Sequence, residues 1–236
     1  MNHVKNVESY SRLVDICTGY GGKYNPGHPN LQLESLLNAL NGARQALEAV
    51  RLAKTQFDRE VNSRKQVYTQ LPSLATSILR TLSDYGAAAE TMDDARYFVR
   101  QIRGYKTNDR SPLPSPTGEV AKARRPLLRQ SYTTKVDHFS KLVLAVQAEP
   151  LYSAMEPMLN KAGLIRKVEE LASLNSKVSV ARVAWVNARM DRDRILYEGL
   201  GSLRLMQRAV KNYVYAVFGP RSTEYLQVRA IKFSLI

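Results

Sequence analysis

Lys54 and Phe57, and 128 residues later Arg182 and Trp185, set a cation three residues before an aromatic ring in each half of the chain. Arg64 and Arg192 follow each ring after seven more residues. A cation beside a ring can hold an anion or the acidic side of a partner helix. The same spacing also arises when aliphatic stems cover a ring while the charge reaches water, which is the commoner use of such residues. A second cationic group, Lys122, Arg124, Arg125 and Arg129, follows the alternating Pro112, Pro114 and Pro116. It could draw nucleic acid with a strong salt dependence. No helix-turn-helix, zinc-finger or aromatic RNA-binding signature accompanies it, so a solubilising spacer is the plainer reading.

Other chemistry fails on residue type or spacing. Gly19-Tyr20-Gly21-Gly22-Lys23 suggests a phosphate loop, but Lys23 precedes Tyr24, position 17 is cysteine, and the segment before it has helical spacing. A phosphate loop needs Gly-x-x-x-x-Gly-Lys-Ser/Thr after a strand. A di-metal bundle needs Glu-x-x-His pairs, and none of His3, His28 and His138 has an acidic residue three positions earlier. Cys17, the only cysteine, falls on an apolar helix face and excludes an internal disulfide. Asp191-Arg192-Asp193-Arg194 suits solvated pairs one turn apart. The expectation is a protein with no catalytic, cofactor or metal residues, and not an enzyme.

The elements that must carry these residues read as helices. A 4,3 alternation runs through Leu33, Leu36, Leu40, Ala43, Leu47, Val50, Lys54, Phe57, Val61, Arg64, Tyr68 and Leu71. It predicts one helix of about 40 residues with a coiled-coil-like seam. Pro72 is expected to break or kink it, Asn30 to cap it, and Thr91 to open a closing helix that ends at Gly104. The octet Val7 to Val14 returns 129 residues later as Val136 to Val143, with Tyr10/Phe139, Leu13/Leu142 and Val14/Val143 as the expected buried pairs. At an offset of 128, Tyr24 meets Tyr152, Phe57 meets Trp185 and Tyr85 meets Tyr213. The second half breaks at Gly199 and Gly201, and Ser222 or Thr223 starts its last helix. The predicted architecture is all-α: two tandem homologous helical-bundle repeats with very long helices, packed as an elongated bundle. Residues 1–104 form the first repeat, 105–132 a basic Pro/Ser linker and 133–236 the second repeat.

A chain of 236 residues is long enough to bury a core without staples. No window reaches the ~20 apolar residues of a membrane span, and the first residues lack the apolar stretch of a signal peptide, so a soluble cytoplasmic protein is expected. The net charge of +14 lies mostly in the linker and second half, which favours an anionic partner.

Glu149-Pro150-Leu151-Tyr152, Asn187-Ala188-Arg189 with Tyr197, and the ending Tyr213-Val214-Tyr215-Ala216-Val217-Phe218-Gly219-Pro220-Arg221-Ser222-Thr223-Glu224-Tyr225 resemble a family of uncharacterised bacterial proteins. The resemblance covers most of the chain and implies an all-helical, internally duplicated fold. It implies no activity, cofactor or site residue. The functional expectation is a non-enzymatic bacterial interaction or scaffold protein with a protein partner or self-association. The alternative is a basic protein associated unspecifically with nucleic acid.

Overall fold

Apolar side chains three and four apart stack on one side of a helix, and burying that side is what makes a helix stable in water. The computed structural model describes residues 3–104, 131–199 and 201–234. Among them lie seven α-helices and no strand: α1 His3–Gly19, α2 Leu33–Asp84, α3 Ala89–Arg103, α4 Tyr132–Ala148, α5 Lys161–Tyr197, α6 Leu203–Phe218 and α7 Thr223–Ala230. Short 3-10 turns occupy Gly21–Lys23 and Pro29–Leu31.

Several helix ends differ from expectation. Pro72 lies inside α2 and does not end it. Proline removes one backbone hydrogen bond and crowds the preceding turn. Here Tyr68, Leu71, Ala75, Ile78 and Leu82 stay buried on one face across it, and that packing carries the helix through. Asn30 caps nothing: its own N–H donates to His28 Nδ1, and α2 begins beyond the turn. The helix expected at Thr91 starts at Ala89, after Gly86 turns the chain with φ of +69°. Ser222 does cap α7, its hydroxyl accepting from the Tyr225 N–H at 3.1 Å. Gly104 ends α3 in the left-handed conformation.

The chain folds as two compact units, each built from parts of both halves: Met1–Asp58 with Ala181–Ile236, and Arg59–Val180. In the first unit α1 packs on α6 and α7, and Tyr10, Leu13, Leu36, Leu196, Leu203, Val210 and Val214 are fully buried. Tyr24 meets the Tyr213 ring edge-on at 5.3 Å, and its hydroxyl donates to the Leu31 carbonyl at 2.8 Å. Asn6 and Ser234 bond reciprocally, side-chain amide to backbone, at 3.1 and 2.8 Å. His3 lies against Tyr197, with ring centroids 5.7 Å apart.

In the second unit α3 lies along α4, over a core that includes Leu71, Ile78, Leu82, Ile102, Phe139, Leu142, Leu164 and Leu171. The Tyr152 hydroxyl donates to the Leu159 carbonyl at 2.7 Å, and Tyr152 packs on Tyr85 at 5.6 Å. Tyr68 meets the Tyr132 ring edge-on at 4.7 Å. Both octets bury the residues expected of them: Tyr10, Leu13 and Val14 in one unit, Phe139, Leu142 and Val143 in the other. Each such large side chain contributes roughly 1.5–3 kcal/mol by leaving water.

Candidate functional site

The cations of the seam go to different partners. Lys54 Nζ bonds both carboxylate oxygens of Asp58, one turn ahead on α2. It also lies 5.3 Å from the Trp185 ring centroid and 5.9 Å from that of Phe57. The two rings stack at 5.4 Å with planes 22° apart. Arg64, in the second unit, places its guanidinium 3.9 Å from the Tyr132 centroid, with a buried Nε that has no hydrogen-bond partner. Arg192 is buried and donates from Nε and Nη2 to Asp193 Oδ1 at 2.9 and 2.7 Å. Arg182 is exposed and has no ion pair among the described residues. Lys54, Arg64 and Arg192 therefore cover rings or satisfy a carboxylate. Lys122, Arg124, Arg125 and Arg129 lie outside the described residues.

Following α5 at 100° per residue separates two apolar faces. Ala181, Trp185, Ala188, Arg192 and Leu196 form the covered one. Val183, Val186 and Met190 fall on the opposite side at i, i+3 and i+7, and they are 56%, 40% and 65% exposed. Arg182 and Arg189 border that stripe. The nearby carboxylates are already engaged, Asp191 by Arg194 at 3.3 Å and Asp193 by Arg192. Neither Arg182 nor Arg189 has an ion pair among the described residues. Arg189 instead places its guanidinium 5.5 Å from the Trp185 centroid. The result is a three-residue apolar stripe with a cationic edge, on a helix already anchored by its other side.

Sequence reasoning singled out Arg182 and missed Val183, Val186, Arg189 and Met190. The signal was present as a second 3,4-spaced apolar set in α5. The covered stripe masks it, because one periodic stripe suffices to explain a helix.

Among the described residues no three His, Cys, Asp or Glu side chains gather as a metal site would require. The Cys17 thiol is fully buried and pushed up to about 12 by burial, which removes the thiolate that nucleophilic chemistry needs. His138 lies half-buried beside the Lys141–Asp137 pair, with an unpartnered Nδ1. No helix among the described residues is long and apolar enough to cross a membrane. No protein-family model matches the chain, and no curated protein or solved structure matches it either.

Proposed function

We propose that this chain is a non-enzymatic interaction protein that docks one amphipathic helix of a protein partner on the outer face of α5. The observation that carries the reading is the second apolar face, Val183, Val186 and Met190, left uncovered among the described residues. A helix apolar on two sides gains its full burial only when both are covered. Each of these side chains is about half exposed and stands to gain roughly half of the ~1.5–3 kcal/mol that complete burial from water brings. Arg182 and Arg189 select the partner's charge: the docked helix carries acidic residues beside its apolar stripe. Affinity purification from the native host, with nuclease throughout, tests this. The expected result is a protein partner retained by the wild type and lost by a folded Val186→Ser/Met190→Ser variant. Retention by the variant contradicts the reading.

The second reading, unspecific association with nucleic acid, is favoured by the net charge of +14. It predicts instead that captured partners disappear with nuclease whether or not the α5 face is intact.

The architecture behind this surface we take to be a tandem duplication with very long helices, α2 of 52 residues and α5 of 37. Matched contacts support it. Tyr24 to Leu31 and Tyr152 to Leu159 are the same hydroxyl-to-carbonyl bond, 128 residues apart. The ring pairs Tyr24/Tyr213 and Tyr152/Tyr85 correspond at that offset, and His3/Tyr197 and Tyr132/Tyr68 correspond at 129. The ring partners are distant in sequence, whereas each hydroxyl bond spans seven residues.

A further inference from the structure

A different surface of the first unit carries a groove lined by cations. α6 sets Arg204, Arg208 and Lys211 at i, i+4 and i+7, a row rising about 10 Å along one face. Lys232, just beyond α7, joins them around a groove of about 490 Å³ whose other walls are Tyr197, Leu205, Gln207, Ile231 and Phe233. Among the described residues no carboxylate lines this groove, and none of the four cations has an ion pair. Lys211 is half-buried, and its ammonium is held by the Ile231 carbonyl, which also accepts from Gln207 Nε2 at 3.2 Å. That carbonyl fixes the amine in the wall without neutralising it. Burial also lowers the Lys211 pKa, as expected of a cation short of a counter-charge.

We propose that this groove binds a small organic phosphate carrying at least two phosphoryl charges, with its uncharged portion against Leu205 and Phe233. Two guanidinium forks on successive turns suit phosphoryl oxygens, which accept bidentate bonds, better than they suit a halide or a lone carboxylate. The groove has the volume of small-molecule sites, and its apolar wall offers burial that a bare inorganic ion cannot use. The site stands independently of the α5 face.

Isothermal titration calorimetry on the full chain, in phosphate-free buffer, tests it with inorganic pyrophosphate, ATP, adenosine and a single-stranded DNA 12-mer. Pyrophosphate is expected to bind, ATP to bind more tightly, and adenosine alone not to bind. Arg204→Gln/Arg208→Gln should weaken ATP by about tenfold or more. The charge-matched control Arg221→Gln/Arg229→Gln, outside the groove, should stay within about twofold, each variant keeping its helical circular dichroism. The proposal is overturned if neither phosphate compound binds, or if both double variants weaken ATP equally. It is overturned as well if the DNA alone binds, since the row would then be part of a polynucleotide track. Loss of helical signal in the groove variant passes the decision to Lys211→Met in the same titration, where unchanged ATP binding overturns the site.

Discussion

Cys17 sits on the covered side of α1, with burial pushing its thiol up to about 12. A protonated, enclosed thiol reacts only when the fold opens. Labelling of the native chain by a thiol reagent near pH 8 should therefore proceed at the opening rate and become immediate in denaturant. Fast native labelling would contradict the burial. The histidines give a pH prediction. His3 is held below the usual 6.5 first by burial and then by the Arg192 charge, and His138 first by burial, with Asp137 pulling the other way. The unfolded chain then binds more protons than the fold in mild acid. Their contribution is complete above about 6.5 and declines as pH falls through the lowered folded values. The urea midpoint should drop between about pH 7.5 and 5.5, and His3→Gln/His138→Ser should flatten that drop. An unchanged slope would contradict it. At this scale the octets' burial was legible because 3,4 spacing alone determines which side chains share a face. The destination of Arg64 was not, since Tyr132 lies 68 positions away and nothing in local spacing pairs them.

Among the elements, the start of α5 makes the sharpest demand on residue type. Asn160 Oδ1 accepts from the Gly163 N–H at 2.7 Å, and a Cβ at Gly163 would come within 1.9 Å of the Pro157 carbonyl oxygen. Alanine is the better helix former by roughly 1 kcal/mol. Even so, Gly163→Ala should destabilise the protein, because backbone cannot yield as a side-chain tip can. A raised urea midpoint would contradict the close approach. Helix existence was readable from periodicity, whereas the ends were not. Pro72 and Asn30 carry strong local signals, and in each case packing or an adjoining turn outweighed them. The outer face of α5 was written in Val183, Val186 and Met190. Its exposure depends on what the fold leaves unpacked there, which spacing alone does not state.

At the scale of the molecule, the division into units crosses the division into halves. Like seams are interchangeable in sequence: a stripe that can cover its own half's helix can equally cover the other's. The assignment of partners was thus not legible in spacing alone. If the halves are copies of one unit, Tyr24→Phe and Tyr152→Phe should each cost about 1 kcal/mol, the loss of one hydroxyl-to-carbonyl bond. The pair should be additive within about 0.5 kcal/mol, since they share no partner. Strongly unequal costs in urea unfolding would contradict the equivalence. The proposed function is tested most directly by placing a photo-crosslinking amino acid at position 186 in the native host and sequencing the captured peptide. The α5 account predicts one protein segment of helical 3,4 apolar spacing with acidic flanks, its capture abolished by Arg182→Glu/Arg189→Glu. Capture of another copy of this chain, or of nucleic acid, or of a segment indifferent to those charge reversals, would contradict it.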